Sequence, residues 1–209
     1  MELDLHIHTN RFSGCSNIPP GELIRSARAA GLDGIALTEH GIRWSDRDIS
    51  DLLEKTGEKG FVVIAGEEVA CFSSAGRFQG EFLVFGYPKS LGSSRAIEKV
   101  IELVHGEGGV VIAAHPFKPL ETGSGYYGCG DAAWDLDIDG LEIEHPSYPE
   151  ESRKLARKVM ENRGLCGISC SDAHDLRGIG RFRTVFEAPV RDAAALCEAV
   201  RKRLIRNNI

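Results

Sequence analysis

Short apolar runs alternate with amphipathic stretches along most of the chain. The apolar runs are rich in β-branched residues and predict strands at 3–8, 34–40, 61–71, 82–87, 110–115, 141–144, 165–171 and 185–189. Between them, apolar residues recur at helical spacing and predict helices at 21–31, 45–56, 95–105, 150–163 and 192–205. This alternation implies βαβ units and a parallel sheet, and the number of strand signals favours a closed barrel.

The chain has the length of one domain of moderate size, and residues 1–209 are predicted to form a single barrel domain. It contains no low-complexity tract, long linker or internal repeat. The last predicted helix has an apolar face, and two roles for this face are equally compatible with the sequence. It could close the barrel or bury a dimer contact.

Composition excludes few function classes, but it limits the expected cellular location and binding partners. Hydrophobic residues make up 42% of the chain and charged residues 27%, as in ordinary soluble proteins. The net charge of −6 argues against a broad nucleic-acid or anionic-membrane surface. No run approaches the ~18 apolar residues of a membrane span, the N-terminus lacks signal-peptide features, and the six cysteines form no CxxC pair. We therefore expect a cytoplasmic protein without a membrane partner.

Ionisable residues collect where the predicted strands end. In (β/α) barrels, the carboxyl ends of the strands carry the active site. Six of the seven histidines lie at strand termini, and only His105 falls elsewhere, in a helix. The residues at these positions are His6, His8, Glu39, His40, His115, Glu144, His145, Asp172 and His174. Glu67 and Glu68 lie within the third predicted strand, and Glu81 opens the fourth.

Two of these groups have metal-ligand spacing. Residues i and i+2 of a strand point to the same side, so His6 and His8 can hold one ion, and Asp172 with His174 can repeat that arrangement. Imidazoles mixed with carboxylates favour Zn, Mn or Fe. Taken singly, each group also has a structural explanation: Glu39-His40 as a solvated pair, or the SDAH segment as a helix N-cap. A common metal site explains them together.

Five short motifs in order resemble the PHP (polymerase and histidinol phosphatase) family. They are DLHIHT, ALTEH, the Gly66-Glu67-Glu68 segment, AAHP and SDAH, and they span residues 3 to 174. The resemblance implies a distorted (β/α)7 TIM-like barrel and a metal-dependent phosphoesterase with two or three divalent ions.

The resemblance also implies a set of ligands. His6, His8, Asp172 and a glutamate of the third motif would hold the first metal. That glutamate would bridge to a second metal, which also takes His115, while His40 and His174 would hold a third. The family pattern Gly-x-Glu selects Glu68 over Glu67 as the bridge.

The chain departs from the family pattern at two positions. Many members place a histidine on the second metal where this chain has Glu81, which could bind as a carboxylate. Many also place a histidine or aspartate a few residues after the first motif, where this chain offers only Ser13, Cys15 or Ser16. A Cys15 thiolate would select zinc.

The expected activity is hydrolysis of a phosphate ester by a metal-activated hydroxide. The substrate would be a phosphomonoester, a small nucleotide or a short oligonucleotide. His145 is a candidate general acid or supporting group, and Arg177 a candidate catalytic cation, with Lys118, Arg181 and Arg43 as further phosphate-binding candidates. Rings that could stack on a substrate or anchor loops are Trp44, Tyr126 and Tyr127. The glycine-rich loop 118–131 suggests a mobile lid.

Other readings of the pattern are a non-catalytic metal-binding regulatory module and a metal-dependent amidohydrolase acting on a C–N bond. Amidohydrolase barrels also begin with HxH, but they often carry a lysine near mid-chain where this chain offers glutamate. Nuclease action on a long polynucleotide needs a basic groove, which the net charge disfavours.

Overall fold

The structure is a computed structural model that describes residues 1–206, so the last three residues of the predicted domain lie outside it. Nine strands of the described chain form one sheet: β1 (Glu2–Asp4), β2 (Gly34–Leu37), β3 (Val62–Phe72), β4 (Phe78–Phe85), β5 (Val110–Ala113), β6 (Gly140–Glu144), β7 (Cys166–Ser169), β8 (Thr184–Phe186) and β9 (Ile205–Arg206). The helices are α1 (Pro20–Ala29), α2 (Asp46–Thr56), α3 (Ile97–Gly106), α4 (Glu150–Arg163) and α5 (Ala193–Lys202), with a 3-10 turn at Gly130–Trp134.

The strands follow one another in the order β7-β6-β5-β4-β3-β2-β1-β8-β9. Beyond β1 and β7, Ile7 and Ala173 form a parallel bridge, and the backbone N–H of His8 donates to the carbonyl of Ala173 at 3.1 Å. This contact joins the chain segments that follow β1 and β7, and it nearly closes a barrel. The distorted TIM-like barrel expected from the sequence is confirmed.

The sheet is mixed, so the expectation of a parallel sheet was wrong in part. Strand β4 is antiparallel to both β3 and β5, and β8 is antiparallel to β1 and β9. No helix separates β3 from β4. A short turn can join only antiparallel neighbours, because a parallel connection needs a crossover of a dozen or more residues.

Helix boundaries follow their capping residues. Ser45 caps α2 by accepting from the backbone N–H of Asp48, and Gly57, at φ 69°, ends it. Helix α4 begins and ends where the sequence predicts. The last helix is shorter than predicted: it stops at Lys202 because Arg203 adopts φ 54°, and the apolar residues that follow lead into β9.

The barrel interior is filled by an apolar cluster with members from seven strands, among them Leu3, Ala36, Ile64, Phe85, Ile112, Ile168 and Phe186. Leu196 and Val200 of α5 belong to the same cluster and are fully buried. Helix α5 therefore packs onto the barrel core, which is the first of the two roles left open by the sequence. Within residues 1–206, no helix is long and apolar enough to cross a membrane.

Candidate metal centre

His6 and His8 lie just beyond β1, in a segment that the Ile7 bridge keeps extended. The strand itself ends at Asp4, four residues earlier than predicted. The extended segment still places both rings on one side, because side chains two residues apart share a face. Both rings are fully buried, and their Nε2 atoms are 3.0 Å apart.

The opposite nitrogen of each ring is held by a partner. His6 Nδ1 lies 2.8 Å from Glu142 Oε1, and His8 Nδ1 lies 3.3 Å from Ser13 Oγ. Ser13 in turn donates its hydroxyl proton to Glu39. These contacts favour a proton on each Nδ1, which leaves both Nε2 lone pairs directed into the cluster. Ser13, a candidate third-metal ligand, thus lies behind His8.

Glu68 is the central carboxylate of the cluster. Its Oε1 lies 3.2 Å from Nε2 of both His6 and His115, and its Oε2 lies 2.8 Å from His40 Nδ1 and 3.4 Å from His8 Nε2. Burial raises the pKa of Glu68, but the charge of His6 and the hydrogen bonds from its imidazole neighbours hold it well below the ordinary value.

Glu67 points away from the cluster. Its carboxylate accepts the backbone N–H groups of Leu91 and Gly92 at 2.8–3.0 Å. Adjacent residues of a strand face opposite sides, and here the register directs Glu68 inward. Of the two glutamates, only Glu68 is positioned to hold a metal in this arrangement.

Asp172 approaches the histidine pair from the other side of the barrel seam. Its Oδ1 lies 3.4 Å from His6 Nε2 and 3.3 Å from His8 Nε2. Its backbone adopts φ 49°, which is uncommon outside glycine and turns the carboxylate toward the cluster. His145 Nε2 lies 3.2 Å from Asp172 Oδ2, while the other ring nitrogen of His145 accepts the backbone N–H of Ser147 at 3.2 Å.

His145 is therefore engaged at both ring nitrogens and is buried. Burial lowers the pKa of His145. A lowered pKa favours the neutral ring, which can donate the proton on Nε2 to Asp172. The sequence left two roles open for His145, general acid and supporting group. The contact with Asp172 matches the supporting role. The general-acid role stays a prediction.

Three imidazoles stack at the outer edge of the cluster. The His40 ring centroid is 4.3 Å and the His174 centroid 4.4 Å from that of His8. The side chains of His40 and His174 are about one-third exposed, so this edge faces solvent. Cys15 is also exposed and lines the same cavity.

Glu81 and His115 complete the inner edge. Their side chains approach within 3.5 Å, and burial, aided by the charge of Glu68, raises the pKa of Glu81 to about 7. The structure thus brings all eight predicted metal-site residues into one cluster. Six of them line a cavity of about 230 Å³, and the buried His6 and His8 do not. Lys118 and Tyr127 also line this cavity.

Comparison with known proteins identifies the family. The family model described as PHP domain matches residues 4–127, and the one described as PHP-associated matches residues 150–204. The chain belongs to the PHP family. An uncharacterized protein of Methanocaldococcus jannaschii is 32% identical to this PHP chain over 153 residues, covering 68% of it and 81% of the relative.

Solved structures share the PHP fold at low sequence identity. A candidate metal-dependent phosphoesterase from Bifidobacterium adolescentis aligns with a TM-score of 0.68 and 19% identity over 94% of each chain. An amidohydrolase from Chromobacterium violaceum, solved with bound sulfate and no metal, aligns with a TM-score of 0.65 and 15% identity over 95% of this chain and 96% of that one. At these identities, the likeness establishes the fold alone.

The donor set of this PHP chain fits divalent ions. Four ligand groupings have atoms within 4.8 Å of one another: His6-His8-Glu68, His6-His115-Asp172, His40-Glu68-Glu81 and His8-His40-His174. Ligands at about 2.0–2.1 Å from a tetrahedral ion lie about 3.3 Å apart. The 3.0–3.4 Å separations among His6, His8, Glu68 and Asp172 match that spacing. Nδ1 of His115 is buried without a hydrogen-bond partner. Buried polar atoms normally have a partner, and an unpaired one is consistent with a site that binds an ion.

The predicted arginines lie away from the cavity. Arg177 is 92% exposed and pairs with Asp175, and Arg43 binds Asp46 and the carbonyl of Trp44. Arg181 is exposed and does not line the cavity. The catalytic role of Arg177 therefore stays a prediction without support from its position. Of the predicted cations, Lys118 is the one the fold brings to the site.

The sequence reasoning missed Glu142, and it placed Glu39 at a strand end without giving it a role in the site. Glu142 on β6 is fully buried and, besides His6, accepts the backbone N–H of His115. Burial raises its pKa, yet the charge and hydrogen bond of His6 bring it below the ordinary value. Glu39 binds Thr9, Ser13 and the Trp44 indole, and so fixes the loop after the histidine pair. An acidic residue between apolar ones on β6 was the available signal for Glu142, and Glu144 shares that signal.

Trp44 is fully buried, which excludes the predicted stacking on a substrate and leaves its role as a loop anchor. Its Nε1 donates to Glu39 at 2.9 Å, and its ring packs edge-on against Phe12 at 5.4 Å.

We expect Trp44→Phe to lower the free energy of unfolding by about 2 kcal/mol, because it removes a buried hydrogen bond and leaves a cavity. Denaturant unfolding would measure this change. The KM for phosphate esters should stay within twofold of wild type. A raised KM without loss of stability would instead support contact between Trp44 and the substrate.

Proposed function

We propose that this PHP protein hydrolyses small phosphate esters, with phosphomonoesters as the principal class, using two or three divalent ions. One observation carries the proposal. Imidazole and carboxylate side chains on or just beyond six strands converge at metal-ligand spacing beside a cavity that Lys118 also lines. When bound, divalent ions lower the pKa of water and neutralise charge on phosphoryl oxygens.

The protein's own residues would perform three tasks. His6, His8, Glu68, Glu81, His115 and Asp172 would hold ions at the inner part of the cavity, and His40 and His174 at its outer edge. Glu142, Ser13 and His145 would keep ligand side chains in their orientations through the hydrogen bonds described above. The mixed nitrogen and oxygen donors favour Zn, Mn or Fe.

The size of the cavity bears on the substrate. A volume of about 230 Å³ accommodates a phosphoryl group and a small part of the group attached to it. Among described residues that line the cavity, Lys118 is the one lysine or arginine, so no basic groove for a long polynucleotide is present there. We therefore propose a small phosphorylated substrate, with nucleic acid only as a nucleotide or short oligonucleotide.

The test is phosphate release. Protein purified without chelator would be analysed for metal content and assayed on a panel of monoesters and nucleotides with added Mn²⁺ or Zn²⁺. We expect two or three ions per chain and turnover that a chelator abolishes and added metal restores. Metal binding with ammonia release from amides but no phosphate release would identify a C–N hydrolase. Metal binding with neither activity would support the regulatory module.

A further inference from the structure

The glycine-rich segment beside the cavity is a small hairpin. Pro119 and Tyr126 form an antiparallel bridge, and the backbone N–H of Tyr127 donates to the carbonyl of Lys118 at 2.7 Å. Gly123 and Gly125 have φ values of 77° and 89°, which the reversal of the chain requires. The predicted loop thus contains a hairpin, which we call the 118–127 hairpin, and its role as a mobile lid stays a prediction.

The base of the hairpin is anchored to the strand end that carries His115. The backbone N–H of Lys118 donates to the carbonyl of His115 at 3.0 Å. At Gly128, a Cβ atom would lie 2.5 Å from the same carbonyl oxygen, so the chain passes too closely for a larger residue. The position of the hairpin is therefore tied to the cluster.

Neighbouring tyrosines of the hairpin face opposite directions. Tyr126 packs edge-on against Phe117, with ring centroids 5.2 Å apart, and does not line the cavity. Tyr127 lines the cavity, with its ring 5.8 Å from that of His115. Lys118 stands directly across the hairpin from Tyr127, so both side chains share the cavity face. The Lys118 Nζ atom is 5.2 Å from the Tyr127 ring centroid.

The Lys118 ammonium and the Tyr127 hydroxyl are both available to a ligand. The Lys118 ammonium has no hydrogen bond among the described residues, and its nearest carboxylate oxygen, Oδ2 of Asp172, is 4.0 Å away. The Tyr127 hydroxyl likewise makes none within residues 1–206. The charge of Glu81, followed by burial, raises the pKa of Tyr127.

Six of the nine residues that line the cavity are proposed metal ligands, and Cys15 offers only a weak thiol donor. A phosphoryl group needs donors for the oxygens that do not face the ions. We propose that Lys118 and Tyr127 form a two-donor grip on the phosphoryl oxygens of the substrate. This inference rests on the proposed function for its substrate, and it assigns the recognition of that substrate to the 118–127 hairpin.

Four variants of the metal-loaded protein test the grip: Lys118→Met, Lys118→Arg, Tyr127→Phe and, as a matched control, Tyr126→Phe. Calorimetry with inorganic phosphate measures binding, and metal analysis and thermal melting check the fold. We expect phosphate to bind about 10- to 100-fold more weakly to Lys118→Met and about 10-fold more weakly to Tyr127→Phe, with unchanged metal content. Tyr126→Phe should match wild type, and Lys118→Arg should recover most of the affinity.

The outcomes separate this inference from the proposed function. Wild-type affinity for phosphate in both Lys118→Met and Tyr127→Phe would overturn the grip, even if the protein hydrolyses esters. Weakened phosphate binding in both variants, in a protein that hydrolyses no ester, would support the grip and contradict the proposed function. If metal-loaded wild type binds no phosphate, the grip is refuted directly.

Discussion

Glu68→Gln should remove at least one ion per chain and lower phosphate-ester turnover by about 1,000-fold or more. The Glu68 carboxylate approaches four imidazoles, so it lies between the ligand groupings and is positioned to serve more than one ion. An amide keeps the shape but loses the charge and one acceptor oxygen. Loss of several kcal/mol of charge stabilisation corresponds to about three orders of magnitude in rate. Metal analysis of the purified variant and phosphate-release kinetics would measure both effects.

The matched control is Glu67→Gln on the same strand. Glu67 accepts the backbone N–H groups of Leu91 and Gly92 and does not face the cluster. We expect this variant to keep its metal and its turnover while losing about 1–2 kcal/mol of unfolding free energy. Equal loss of metal in both variants would show that the cluster depends on the strand as a whole and not on the inward carboxylate.

Glu142→Gln should weaken metal binding about 10- to 100-fold, although Glu142 lines no part of the cavity. Its two carboxylate oxygens accept from His6 Nδ1 and from the backbone N–H of His115. Glutamine has one acceptor oxygen, so its NH₂ group would face one of these N–H donors. One ligand would then lose its fixed orientation. Competition with a chelating dye measures metal affinity independently of turnover.

Glu144→Gln serves as the control for Glu142. Glu144 lies two residues later on β6 and forms ion pairs with Arg153 and Arg157, which are partly exposed. Such pairs contribute little to stability, so metal affinity should remain within twofold of wild type. If Glu142→Gln also bound metal with wild-type affinity, the hydrogen bonds of Glu142 would not determine the orientation of the ligands.

The proposed metal ligands could be predicted from the sequence, because their side-chain chemistry and their positions along the strands both indicate a metal site. Histidines and carboxylates at strand ends are unusual in an apolar background, and the fold does bring His6, His115 and Asp172 into one cluster. Glu142 could not be separated from Glu144 in the same way. Both acidic residues alternate with apolar ones on β6, and regular alternation would place them on one face. The register of β6 shifts between Glu142 and Glu144, and apolar periodicity does not predict such a shift.

Other predictions were wrong or undecided where the orientation of a side chain or strand depends on contacts that the local sequence does not specify. Trp44 follows a predicted strand end, as a substrate contact would, but the indole finds a buried acceptor in Glu39. Arg177 follows the SDAH motif closely, yet its backbone N–H and side chain both bind Asp175, which turns it outward. The direction of β4 was likewise undetermined, because apolar periodicity does not report whether neighbouring strands run parallel.

The seam of the barrel joins parts of the chain that are made at very different times. Asp4 accepts the backbone N–H of Ser171, 167 residues away in the sequence, and the Ile7–Ala173 bridge lies just beyond. The ligands His6 and Asp172 flank this seam from its two sides. During synthesis, His6 and His8 therefore leave the ribosome long before Asp172, which they meet across the seam. An ion held by these residues would link the two sides of the seam, and metal binding would then stabilise the closed barrel.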